Sequence, residues 1–267
     1  MALNITPFLE KLELEGAARG TVLFYAAPLK KFAAHCPKSL EEITADDVYA
    51  FARGIENDYS RHNAIRAVKY FLKISGMNVS VKLPKFCAPA PDEYTADETT
   101  KLFAVATDEE KRLFKFYQML GVREGEAMHA RWENLQDSTY TVKPVGGWAP
   151  KKHKSRTVSV PDALANLLAP VRQSSGWIFP TAAGQPDGHH LRKLQALAKR
   201  AGLPCGSCNL QKFRRSYATT MLRTGATIHE VAQFLGHSNL DTVLRYLALA
   251  NAGSARVKGL ANSAFGS

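Results

Sequence analysis

A chain of 267 residues has room for two modest domains, and 45% hydrophobic with 22% charged residues is the balance of a folded chain, not a disordered one. Lys and Arg number 35 against 24 Asp and Glu, giving a net charge of +11 and a pI near 9.5. That excess favours a polyanionic partner, since each phosphate neutralised by a cation releases a condensed counterion; no apolar run is long enough to span a membrane, the start MALNITPFLEKLELEG lacks the pattern of a secretory leader, and the four cysteines make no disulfide framework.

The first 84 residues read as helices only. Residues 5–15 and 19–35 carry apolar positions at helical spacing, and Thr44 with Asp47 forms a capping signal for a helix through Phe51 and Ala52. Another helix is expected from Ser60 to about Ser75, ended by Gly76. Its apolar face holds Ile65, Val68, Phe71 and Leu72, while Arg66, Lys69 and Lys73 line a different face, which suits a helix edge laid along a DNA backbone or simply a solvated surface. Pro84, Pro89 and Pro91 then mark an extended linker, because proline lacks a backbone donor and restricts its predecessor. The expected division is a helical domain over 1–84, a linker over 85–95 and a second domain over 96–267.

The second part opens with helical patterns at 96–106 and 108–120, and a short helix is expected after Arg123. The period then changes: Ser138–Val142 and Ser155–Val160 alternate, separated by Gly146, Gly147 and Pro150, and predict two or three strands of a small antiparallel sheet. Helices return at 188–201, 209–223, 227–235 and 239–250. The fold class is therefore mainly α with a small antiparallel β-sheet, an all-helical N-terminal domain preceding an α+β domain. Cys205-Gly-Ser-Cys208 has the spacing of half a zinc knuckle, but no second cysteine pair follows, and although His189 and His190 are candidate partners, free thiols and no metal are expected.

Four segments carry groups suited to phosphodiester chemistry. Gly121-Val-Arg123-Glu-Gly-Glu126 places a guanidinium at a helix entry, with a glutamate three residues on to hold it. Lys151-Lys152-His-Lys154-Ser-Arg156-Thr-Val158 is a basic turn leading into an apolar strand, where a lysine can protonate a leaving oxygen. In Gln211-Lys212-Phe213-Arg214-Arg215-Ser216-Tyr217 the helical phase puts Arg214 at the border of an apolar face. In Leu235-Gly236-His237, Gly236 suits a helix end between a capping box at Thr227 and Glu230 and a new start at Ser238 and Asp241, with Tyr246 in the following helix.

Together, in this order and spacing, the segments resemble the tyrosine recombinase, or phage integrase, family over about residues 96–250. The resemblance implies a DNA breaking-rejoining catalytic domain behind a DNA core-binding domain, in the simple two-domain layout of Xer-type and Cre-type enzymes, without the additional arm-binding domain of some phage integrases. It implies Tyr246 as a nucleophile forming a 3′-phosphotyrosyl bond, Arg123 and Arg214 as clamps on the phosphate oxygens, Lys151 as the proton donor to the departing 5′ oxygen (with Lys152 and Lys154 as competitors), and His237 as a donor to the phosphate. Gln211 stands where the family usually has histidine. Arg66, Lys69, Lys73, Lys152, Lys154 and Arg215 are the expected DNA-backbone contacts. The implied partner is double-stranded DNA, bound by a homotetramer on paired sites that is a monomer in free solution; no cofactor or metal is implied, and the expected location is cytoplasmic, at the nucleoid. The competing readings are a catalytically weak or silent DNA-binding relative and a type IB topoisomerase-like enzyme.

Overall fold

A computed structural model of the chain describes residues 3–85, 91–136, 138–236, 240–251, 259 and 262–263. The backbone divides into two compact units, 1–89 and 90–267.

The first unit is built on four helices, α1 (Thr6–Leu14), α2 (Arg19–His35), α3 (Ala45–Arg53) and α4 (Asp58–Ile74). The expected box at α3 is present: Asp47 N–H donates to Thr44 Oγ1 while Thr44 N–H donates to the Asp47 carboxylate. Helix α4 starts two residues earlier than the sequence suggested. Its cap is Asn57, whose Oδ1 accepts from Ser60 N–H at 2.9 Å, so Ser60 belongs to the first turn. The buried face of α4 (Ile65, Val68, Phe71, Leu72) meets Phe8, Leu29, Phe32 and Phe51 from the other three helices in one core. Each such side chain withdrawn from water contributes on the order of 2 kcal/mol, which is what holds helices this short together.

The second unit contains α5 (Ala96–Ala104), α6 (Asp108–Leu120), α7 (Glu124–Met128), β1 (Leu135–Gln136), β2 (Thr139–Val142), β3 (Arg156–Ser159), α8 (Asp162–Leu168), α9 (His190–Arg200), α10 (Leu210–Arg223), α11 (Ile228–Leu235) and α12 (Asp241–Asn251). The strands form an antiparallel sheet in the order β1-β2-β3, with Tyr140 opposite Val158 and Val142 opposite Arg156. Helix α8 leaves no periodic mark in the sequence, being only seven residues long, and Leu164 with Leu168 are its buried pair. Helix α6 is central, with Leu113, Phe114, Phe116, Tyr117 and Leu120 almost wholly buried, and Phe114 stacks on Phe213 of α10 at 6.0 Å. Gly121 ends α6 at φ 59°, and a Cβ there would lie 2.6 Å from Cδ1 of Tyr217 on α10. Only glycine allows both the left-handed turn and this approach, which brings the Gly121 carbonyl against α10.

One buried group gives the fold a pH dependence. His190 at the start of α9 is fully buried, its Nδ1 lies 2.8 Å from the Tyr117 hydroxyl, and its Nε2 has no hydrogen-bond partner. Burial pushes its pKa down to about 4, against the opposing pull of Asp187. The folded state thus refuses a proton that the unfolded state accepts below about 6.5. Stability should be fully present above pH 6.5 and fall as pH drops towards 4, by about 3 kcal/mol in total. Denaturant midpoints across that range should show this slope, and His190→Asn should flatten it; an unchanged slope would place the titration elsewhere.

Candidate active site

The site is built around one carboxylate. Glu126 in α7 is buried and receives three guanidinium groups from separate parts of the second unit. Arg123, the residue before α7, donates its backbone N–H to Glu126 Oε2 at 2.7 Å and its Nη1 to Oε1 at 3.0 Å, so one glutamate caps the helix and fixes the arginine. Arg156, at the start of β3, grips the same carboxylate with a two-pronged fork, Nη1 to Oε1 at 2.7 Å and Nη2 to Oε2 at 2.5 Å. Arg214 of α10 lies 3.8 Å from Oε2.

The C-terminal end of α11 is the second anchor. A helix end leaves carbonyls without partners and carries partial negative charge. Here Phe234 O accepts from Arg156 Nε at 2.7 Å, and Leu235 O accepts from Arg214 Nη2 and, at 3.4 Å, from Arg123 Nη1. Arg214 Nη1 donates to the Gly121 carbonyl at 2.6 Å. Gly236 then turns the chain at φ 62°, as its place in the sequence suggested. The capping box between Thr227 and Glu230 at the other end of α11 is present as well.

Arg214 does not sit at the border of the apolar face as the helical phase suggested. It is 2% exposed, because the ends of α6 and α11 close over it and offer the Gly121 and Leu235 carbonyls in place of water. Burial, and next the neighbouring Arg123 charge, push its guanidinium down to about 9, which leaves it charged at neutral pH and a stronger donor than an ordinary arginine. For Glu126, burial alone would raise the carboxyl, but the hydrogen bond and charge of Arg156, the charge of Arg214 and the Arg123 N–H hold it at about 2. Three positive groups against one negative leave a strongly anion-seeking cluster, with Arg123 still a quarter exposed.

Tyr246 lies in α12, which packs on α10 and α11. It is 8% exposed, set among Ala218, Leu222, Val231, Leu235 and Val243, and within electrostatic range of the Arg214 guanidinium. Lys151 opens a short 3-10 turn, Lys151–His153, in the connection between β2 and β3, and both Lys151 and Lys154 are exposed. Lys152 is in the same turn. Gln211 is exposed in the first turn of α10, one turn before Arg214. His237 and Ser238 lie outside the described residues.

The model of the phage integrase family matches residues 93–252. The chain belongs to that family. Among curated proteins it is 28% identical to tyrosine recombinase XerA of Pyrococcus horikoshii over 90% of this chain and 86% of the relative, and 28% identical to tyrosine recombinase XerC of Rhodospirillum centenum over 86% and 78%. Its fold matches a lambda integrase dimer bound to a COC′ core site with a TM-score of 0.71 at 17% identity, covering 91% of this chain and 93% of that one. It also matches XerH in a post-cleavage complex with a palindromic difH substrate, with a TM-score of 0.69 at 18% identity, covering 95% and 83%. As a tyrosine recombinase of this family, the chain carries out site-specific cleavage and rejoining of DNA strands.

The sequence motifs point to Arg123 and Arg214, which the structure brings together, and assign no role to Arg156. A signal was present. Side chains alternate along a strand, so Arg156 shares a face with Val158 and Val160, both buried. A charge on an otherwise buried strand face marks a paired or functional group. The expected backbone contacts are placed variously. On α4, Arg66 lies over the Phe24 ring at 4.9 Å, Lys69 donates to Val81 O at 2.7 Å, and Lys73 is exposed. Arg215 pairs with Asp92 at 2.7 Å. The described residues contain no cluster of three or more His, Cys, Asp or Glu suited to a metal, and no helix long and apolar enough to cross a membrane.

Proposed function

We propose that Tyr246 is the nucleophile that cuts and rejoins the strand through a 3′-phosphotyrosyl intermediate, with the Arg123–Arg214 pair receiving the scissile phosphate. The observation that carries this reading is the convergence of guanidinium groups on Glu126 and the α11 carbonyls, with Tyr246 within electrostatic reach of Arg214. In this step the tyrosine hydroxyl gives up its proton to water as its oxygen bonds to phosphorus, the bond from phosphorus to the 5′ oxygen breaks, and that oxygen takes a proton. Lys151 is the proposed donor, with Lys152 and Lys154 as the competing lysines, and His237 is the proposed further donor to the phosphate. The covalent bond conserves the phosphodiester energy for rejoining. The test is a suicide duplex, nicked so that the cleaved end diffuses away. A denaturation-resistant adduct should accumulate, with the nucleotide on the peptide containing Tyr246; an adduct on another residue overturns the assignment.

The proposed partner is double-stranded DNA, with the first unit as the core-binding domain. A lambda integrase tetramer has been seen on a Holliday junction, and four protomers on paired sites, from a monomer in free solution, is the arrangement proposed for this chain in the cytoplasm at the nucleoid. Arg66, Lys69, Lys73, Lys152, Lys154 and Arg215 are the proposed backbone contacts. Replacing Arg66, Lys69 and Lys73 by alanine should flatten the plot of log affinity against log salt by about 0.9 for each phosphate that is no longer neutralised. An unchanged slope would leave the stripe as a solvated face.

Gln211 is where this chain departs from its family. Glutamine hydrogen-bonds but takes up no proton near neutral pH, and a missing general base typically costs about 10²–10⁴-fold. We therefore expect a competent but slow site. Gln211→His should raise single-turnover cleavage and introduce a pH dependence centred near the imidazole range. A histidine variant no faster at any pH would show that the site is built around glutamine.

A further inference from the structure

Arg156 is the arginine most fully engaged by Glu126, and each of its three guanidinium nitrogens already has a partner within the protein. Both ends of its fork and its Nε are taken, by the two Glu126 oxygens and by Phe234 O, and its side chain is 6% exposed. Arg123 keeps part of its fork open, and Arg214 is held mainly by carbonyls, which carry no net charge. Glu126 is thus needed to fix Arg123, but on its own it would cancel half of the positive charge that Arg123 and Arg214 present.

We propose that Arg156 is a positioning residue that acts as the counter-charge of Glu126, so that the carboxylate orients Arg123 without neutralising the phosphate site. The proposal rests on the reading that this site receives a DNA phosphate. Its consequence is differential. A bound phosphodiester carries one negative charge, and attack by the tyrosine oxygen brings a second as five-coordinate phosphorus forms. Three guanidinium groups and one carboxylate leave a surplus of two, matched to that transition state. Without Arg156 the surplus is one, matched to the ground state. Only interactions stronger in the transition state accelerate the chemistry, so Arg156 acts on the rate of cleavage more than on DNA affinity.

The test uses the full chain, the suicide duplex and three variants. Arg156→Met leaves Glu126 uncompensated; single-turnover cleavage should fall about a hundredfold or more, with half-site affinity within about threefold of the parent. Glu126→Gln combined with Arg156→Met restores the surplus of two and should recover at least about tenfold of that deficit, which a mere bracing role for Arg156 would not allow. Arg156→Lys keeps the charge without the fork and should stay within about tenfold of the parent. Parent-like cleavage by Arg156→Met, or a double variant no better than the single one, overturns the proposal. If the single variant fails to fold, the double variant decides: within about tenfold of the parent supports the pairing, and a deficit of about a hundredfold overturns it. A parent that forms no covalent adduct sinks the strand-transfer reading instead, and inorganic phosphate then judges the pairing. The phosphate dianion, which carries the two negative charges of the transition state, should stabilise Arg156→Met less than the parent and regain its effect on Tm in the double variant, whereas an undiminished effect in Arg156→Met overturns it.

Discussion

Tyr246→Phe should abolish the covalent protein–DNA adduct while leaving duplex binding within about twofold of the parent. The substitution removes one oxygen and keeps the ring, and the ring accounts for the packing: Tyr246 sits among Ala218, Leu222, Val231, Leu235 and Val243 with 8% of its surface exposed. A volume-conserving change at such a position typically costs less than about 1.5 kcal/mol, too little to unfold a domain. The chemistry has no such tolerance, because no other atom of the ring can attack phosphorus. Binding persists because affinity is spread over many phosphates. The measurement is a denaturing gel of the suicide-substrate reaction beside a native gel of the same variant. Adduct at the parental rate would mean that another residue is the nucleophile.

The second large effect is expected at Arg214. Arg214→Lys preserves the formal charge, yet cleavage should fall about a thousandfold, the upper end of what removing a preorganised donor costs. The arginine reaches two carbonyls at once, Gly121 O through Nη1 and Leu235 O through Nη2, and still faces the cluster at Glu126. A lysine ammonium is a point donor on a flexible stem and cannot span both carbonyls while turning a proton to a phosphate. Burial adds a second penalty. The site already pushes the arginine down to about 9, and a lysine, which begins lower, would be driven further towards its neutral form. Its charge would then be present at low pH and disappear as pH rises. Glu126 does not confuse the measurement: held at about 2, below an ordinary 4.5, its carboxyl contributes stability that is present above about 4.5 and disappears only as pH falls through 2. Rate profiles for Arg214→Lys and the parent between about pH 6 and 8, where the parent arginine stays charged, therefore separate the two causes. A deficit that stays constant across that range reports misplaced geometry, and one that widens towards the alkaline end reports a discharged amine. Cleavage within about tenfold of the parent would remove Arg214 from the phosphate site.

The parts of this protein that its sequence determined by itself are those that depend on near neighbours. The capping boxes at Thr44 and Thr227, the left-handed turn at Gly236 and the apolar face of α4 each involve residues within a few positions of one another, where 3.6-residue periodicity and cap chemistry act directly. The family was legible for a related reason: Arg123, Arg214 and Tyr246 stand in short motifs whose order and spacing survive in the linear chain. The expected start of α4 falls two residues late because its cap, Asn57, precedes the apolar period by which the helix is recognised.

What only the tertiary structure decided is how those groups are held. Arg156 reaches Glu126 across 30 residues and Phe234 across 78, Arg214 reaches Gly121 across 93, and Arg123 reaches Leu235 across 112. The burial of Arg214, the sharing of one carboxylate by three arginines and the use of α11's terminal carbonyls as anchors all follow from packing α6, α10, α11 and β3 together. Local propensity carries no information about such contacts. They form because a buried charge is tolerated only where the fold supplies partners for it, and those partners are named by proximity in space, not by position in the chain.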